Sequence, residues 1–263
     1  MLFDIVLPGG EALIVGGSAS ARIVPPRRAG TVEATSTPSG DIGARLDVIE
    51  ASVAAGGSLA GSGFWPLVAT VKADPALIEA HADRIGRIDA AAFRAAVAPR
   101  FPVWLGNLTL LGAIAAGVVA LVWASASEGL WAGLLVVAAA GAWSVGVHSP
   151  AHWVVGRIVG IGFTDYFFGG PPPPRPGIKT DYATYLRTSA RRRAWFHASG
   201  AIATKIAPFL VLAIAPLVSA PGWALLAVLA IGVIQIVTDV VFSTKTSDWK
   251  KFRREMAFAR DGG

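Results

Sequence analysis

The 263-residue chain contains no cysteine, which removes disulfides, thiolate metal sites and cysteine nucleophiles at once. Charge is scarce as well. Asp, Glu, Lys and Arg make up 15% of residues against 54% hydrophobic ones, and a mean hydropathy of +0.57 is too high for a domain that must keep a wet surface. There are four histidines, His81, His148, His152 and His197, about half the nitrogen ligands of a histidine-rich di-iron membrane site. No stretch alternates basic with aromatic residues, so the net charge of +6 does not describe a nucleic-acid groove. The opening "MLFDIVLPGGEALIVGG" carries Asp4 and Glu11 and no basic leader, so no cleaved secretory signal is expected.

What is abundant is apolar sequence. "VWLGNLTLLGAIAAGVVALVW" (103–123) and "GLWAGLLVVAAAGAWSVGV" (129–147) hold no charge, while "AIATKIAPFLVLAIAPLVSA" (201–220) and "GWALLAVLAIGVIQIVTDVVF" (222–242) hold Lys205 and Asp239. Each is about long enough to cross a hydrocarbon layer of roughly 30 Å. The expected fold class is a mainly α-helical integral membrane protein of four transmembrane helices in two hairpins, with the lipid bilayer as its solvent. The links "ASASE" and "SAPG" lack Lys and Arg, whereas Arg94 and Arg100, "RTSARRR" and "KKFRRE" flank the opposite span ends. The positive-inside rule makes that side, with both termini, cytoplasmic. Trp104, Trp123, Trp131, Trp153, Trp223 and Trp249 fall near span ends, where amphipathic indoles settle.

Residues 1–99 are of mixed polarity. "FDIVL", "ALIVG" and "PLVATVKA" read as short strands, Asp74 before Pro75 as a helix N-cap, and Asp89 as the cap of a second short helix ending near Pro99. The expected organisation is an amino-terminal α+β cytoplasmic region (1–99), a four-span membrane domain (100–245) with a cytoplasmic loop (150–200), and a basic amphipathic tail (246–263). "GGPPPPRPG" reads as a stiff extended stretch of that loop. In the tail, "SDWKKFRREMAF" puts Trp249, Phe252 and Met256 on one face among Lys250, Lys251, Arg253 and Arg254, a pattern suited to an anionic leaflet.

The candidate chemistry lies in "VGVHSPAHWVVGRIVGIGF". His148 and His152, at i and i+4, share a helix face if the helix continues. At 1.5 Å per residue His148 stands roughly 27 Å along the second span and Asp239 roughly 25 Å along the fourth, a common depth. Two imidazoles and a carboxylate there would form a zinc shell with an open fourth position. The plainer alternative pairs Asp239 with Thr238 or Lys205 and leaves the histidines as interfacial residues with satisfied nitrogens. His81, between Glu79 and Asp83 in sequence, reads as a surface residue, and His197 as a spare ligand or substrate-side group near the mouth of the third span.

"HSPAHWVVGRIVGI" resembles the site-2 protease family of intramembrane zinc metalloproteases, whose HExxH helix continues into an arginine, a glycine and an aliphatic residue, here Arg157, Gly160 and Ile161. "RRRAWFHASGAIATKIAPFLVLAIA" is similar to the family's basic stretch leading into a small-residue A-G-P-x-A-N segment, with Ser199, Gly200, Ala201 and Ala203 in it and Thr204 in place of the asparagine. Asp239 matches the third zinc ligand, followed by Val240 where the family has glycine. The likeness covers roughly residues 103–245 and implies zinc on His148, His152 and Asp239 and a transmembrane protein as substrate or partner.

Ser149 stands where the family's general-base glutamate belongs, and a hydroxyl cannot take a proton at neutral pH. Pro150 either kinks the helix or starts a new one with Ser149 as its cap. Asp165, beside Tyr166, and Asp181, beside Tyr182, are the nearest substitutes for a base; both also fit plain turn positions. The resemblance therefore implies a zinc-binding but peptidase-impaired membrane protein. An active hydrolase with a different base and a metal-free scaffold are the alternatives.

Overall fold

A computed structural model describes residues 39–169, 175–241 and 247–260. The chain enters it as three helices, α1 (Ser39–Ala54), α2 (Phe64–Lys72) and α3 (Pro75–Ala96). On α1, Ile42, Leu46, Ile49 and Val53 recur at helical spacing and bury one stripe against Phe64, Leu67, Val68 and Val71 of α2 and Ile85 and Ile88 of α3. The start of α3 is as the sequence indicated: the Asp74 carboxylate accepts from the Ala76 N–H, with Pro75 in the first turn.

Two expectations fail in this region. "PLVATVKA" is helical rather than a strand, because Leu67, Val68 and Val71 pack on one helical face and that burial overrides the β-preference of its Val and Thr residues. Asp89 caps nothing; α3 runs unbroken past it, and its carboxylate is buried in an ion pair with Lys179. "FDIVL" and "ALIVG" lie outside the described residues; the described part of residues 1–99 has helices and no strand.

β-structure occurs where a loop was expected. β1 (Arg100–Pro102), β2 (Phe163–Gly169) and β3 (Arg175–Thr180) form an antiparallel sheet in that order. Tyr166 anchors the sheet to the first span, its buried hydroxyl donating to Asn107 Oδ1 at 2.8 Å. Most of the proline run falls outside the described residues, but its flanks pair as a hairpin.

Among the described residues four helices are long and apolar enough to cross a bilayer: α4 (Val103–Ser125), α5 (Gly129–Val159), α7 (Ala190–Ile214, extended by a 3-10 turn) and α8 (Gly222–Val241). The short α6 (Tyr182–Arg187) precedes α7. α4 packs on α5, α5 on α7 and α7 on α8. Leu121, Val136, Ala139, Val211 and Val228 fill the interior, while Leu108, Val119, Leu226 and Val233 face outward, an apolar exterior that calls for lipid. Trp104, Trp123, Trp131 and Trp223 are exposed near the helix ends, in keeping with interfacial anchoring.

Two lengths position the site. α5 has 31 residues, about 46 Å at 1.5 Å per residue, so its last third rises out of a hydrocarbon layer of about 30 Å. Pro150 lies inside it and does not end it; the helix stops at Gly160, left-handed at φ 92°. After the fourth span, α9 (Asp248–Arg260) turns back and lies along α7.

Candidate metal centre

Because α5 continues through Pro150, His148 and His152 do share one face, their ring centroids 4.9 Å apart and the rings near-perpendicular. Each ring is oriented by α7. His152 Nδ1 lies 2.8 Å from the Phe196 carbonyl, which only accepts, so Nδ1 carries the proton. His148 Nδ1 lies 2.9 Å from Thr204 Oγ1. That hydroxyl donates its own hydrogen to the Gly200 carbonyl at 2.8 Å and therefore accepts from Nδ1. Both imidazoles in their neutral form are thus Nδ1–H tautomers with a bare Nε2 lone pair.

The two Nε2 atoms meet a carboxylate from α9. Asp248 Oδ2 lies 3.2 Å from His152 Nε2 and 3.5 Å from His148 Nε2, and the three residues form a cluster whose ligand atoms lie within 4.8 Å of one another. Tetrahedral zinc with bonds of about 2.0–2.1 Å places its donor atoms about 3.3 Å apart, close to both oxygen–nitrogen separations. His152 is buried while the His148 side chain is 41% exposed, which leaves the site open on one side. Burial pushes the Asp248 carboxyl upward, but a hydrogen bond from His152 once its Nε2 is protonated, and the Lys251 charge, prevail and hold it well below the usual carboxylate range.

α9 is anchored two turns further on. Glu255 is fully buried and accepts from Lys72 of α2 at 2.5 Å, from Arg193 Nε of α7 at 2.8 Å and from the Tyr185 hydroxyl of α6 at 3.1 Å. Burial raises the Glu255 carboxyl, and the Lys72 and Arg193 charges outweigh it to bring it below its ordinary value. Burial pulls Lys72 down to about 8 against the attraction of Glu255. The Lys72–Glu255 pair also ties the segment before the first span to the segment after the fourth, so both lie on the same side of the membrane domain. Asp248 and Glu255, seven residues apart, share an α9 face, and locking one aims the other.

Of the residues singled out from sequence, His148 and His152 come together and Asp239 does not join them. Its carboxylate is paired with Lys205 one helix away, the partner named above as the plainer alternative. Ser149 is buried in α5. Asp165 sits on β2 opposite Pro102 and Lys179, and Asp181 caps α6 by accepting from the Ala183 N–H; neither belongs to the cluster. His197 turns its Nε2 to the Tyr185 hydroxyl at 2.9 Å, which makes it part of the Glu255 network. His81, on α3, is half-buried.

Sequence reasoning missed Asp248. A legible signal existed: among the bases of "SDWKKFRREMAF" the two acids stand at a helical spacing of seven. No protein-family model matches the chain, and no curated protein or solved structure does.

Proposed function

We propose that this chain is an integral membrane protein that holds a divalent transition-metal ion between His148, His152 and Asp248, and that it binds a transmembrane partner rather than hydrolysing one. The observation that carries this is the convergence of three acceptors. With both Nδ1 atoms engaged elsewhere, two bare Nε2 atoms and one carboxylate oxygen face each other, an arrangement that needs a positive charge among them. A single proton would serve one nitrogen–oxygen pair; a metal ion serves all three atoms. Imidazole and carboxylate donors with an open position suit zinc, which when bound would supply Lewis acidity at that position.

A second reading rests on the 3.2 Å His152–Asp248 separation, an ordinary hydrogen-bond length for a protonated imidazolium on a carboxylate. Metal analysis separates the two. The Lys/Arg distribution makes the side bearing α9 cytoplasmic in this reading.

The resemblance of the α5 segment to site-2 proteases supports a divergent kinship in which the histidine ligands persist and the carboxylate comes from α9. Ser149 fills the general-base position, and general acid–base catalysis is typically worth roughly a hundred- to ten-thousand-fold in rate. The unmodified protein is therefore expected to leave a helix-destabilised transmembrane substrate uncut when assayed with zinc in liposomes. Zinc-dependent cleavage would overturn the non-hydrolysing reading.

The backbone of α7 lies so close under the site that a Cβ at Gly200 would sit 2.3 Å from His152 Nε2. Gly200→Ala, a favourable change for a helix in isolation, should displace the imidazole and weaken zinc binding by on the order of tenfold or more, as disturbed ligand orientation does elsewhere. Chelator competition would measure it, with helix content by circular dichroism as the control.

A further inference from the structure

α9 sorts its charges. Its two acids turn inward, Asp248 to the histidines and Glu255 into the buried cluster, while its exposed charged residues, Lys250, Arg253 and Arg260, are all basic. The adjoining start of α7 does the same: Arg193 is buried on Glu255, and Arg191 and Arg192 are exposed. Between the two helices lies an aromatic bridge, Trp195 of α7 against Phe252 at 5.6 Å and Phe252 against Trp249 at 5.7 Å. Trp195, one turn beyond Arg191 and Arg192, is half exposed.

Depth identifies what this face meets. α7 has 25 residues, about 37 Å at 1.5 Å per residue, longer than a hydrocarbon layer of about 30 Å. With its apolar portion immersed, the first turn and Trp195 come to the headgroup level. There the aromatic rings meet the acyl boundary and the guanidinium groups meet phosphates.

We propose that Arg191, Arg192 and Arg253, with the Trp195–Phe252–Trp249 bridge, form a binding face for anionic phospholipid headgroups. It takes lipid rather than an acidic protein segment because its aromatic component adjoins a membrane-spanning helix and its cations lie at phosphate depth. Membrane-proximal basic side chains contribute about fivefold each in affinity for an anionic surface, so three of them suffice for selective retention. This inference does not depend on the metal.

The test is to reconstitute the full-length protein in nanodiscs of equal phosphatidylcholine and phosphatidylglycerol, extract it gently, and measure the headgroups that remain bound. The natural protein should retain phosphatidylglycerol over phosphatidylcholine by on the order of a hundredfold. The Arg191→Gln/Arg192→Gln/Arg253→Gln variant should fall to about the input ratio, with unchanged helix content. Arg45→Gln/Arg87→Gln, exposed bases on α1 and α3, should behave as the natural protein. Equal retention of both lipids by the natural protein, or undiminished selectivity in the triple variant, would overturn the proposal. So would tight binding of soluble polyglutamate in neutral nanodiscs that the triple variant loses.

Discussion

The natural protein is expected to bind about one zinc ion per chain, and alanine at His152 or at Asp248 to abolish that binding. His152 is buried, its Nδ1 is fixed by the Phe196 carbonyl, and its Nε2 faces Asp248 at 3.2 Å, so its loss removes one of the three convergent ligand atoms. Loss of an outer-shell partner typically costs ten- to a hundredfold in affinity; loss of a ligand should exceed a hundredfold. The informative contrast is Asp239→Asn. If Asp239 were the third ligand, as the family resemblance implied, it would be as damaging. With Asp239 paired to Lys205, it should leave zinc stoichiometry unchanged. Isothermal titration of detergent-purified variants, each first stripped with chelator, reads the difference directly.

The second large effect belongs to Glu255. Its substitution by alanine leaves Lys72 and Arg193 facing one another in a buried site with no counter-charge. Breaking a buried ion cluster in this way costs about 3–5 kcal/mol. The loss should show as release of α9 from α7: faster proteolysis beyond residue 246, a lower melting temperature in detergent, and weaker zinc binding because Asp248 is no longer aimed. Arg253→Gln, on the exposed side of the same helix, should change stability by no more than about 0.5 kcal/mol.

The same contact carries a pH dependence with a defined sign. The Glu255 carboxyl is lowered from its ordinary value of 4.5, so its contribution is complete above pH 4.5 and is lost as the pH falls further and the buried carboxylate takes a proton. Acid should therefore release α9, and the Glu255→Ala protein should lack that transition.

The spans could be read from the sequence because long uncharged runs leave the chain few other choices, and the histidine pair because i,i+4 spacing survives as long as the helix does. That survival was not itself legible: Pro150 removes one backbone hydrogen bond but leaves α5 running on for nine residues. Depth put His148 and Asp239 at a common level, but the fold pairs Asp239 with Lys205 of the neighbouring helix and sets Asp248 beside the histidines. Asp248 was hidden by its surroundings. Basic neighbours dominate the tail's sequence, and only the fold shows that its two acids turn inward while Lys250, Arg253 and Arg260 stay exposed. The three-stranded sheet escaped notice because a proline run dominates the segment, whereas the pairing residues are its flanks and three residues ahead of the first span.

The central claim is that His148, His152 and Asp248 together hold one metal ion, and X-ray absorption at the zinc edge of the loaded natural protein tests it most directly. The expected spectrum has nitrogen and oxygen donors at about 2.0–2.1 Å, with the outer scattering of two imidazole rings that falls to one in His148→Ala. Absence of retained zinc after loading, or a spectrum without imidazole scattering, would contradict it.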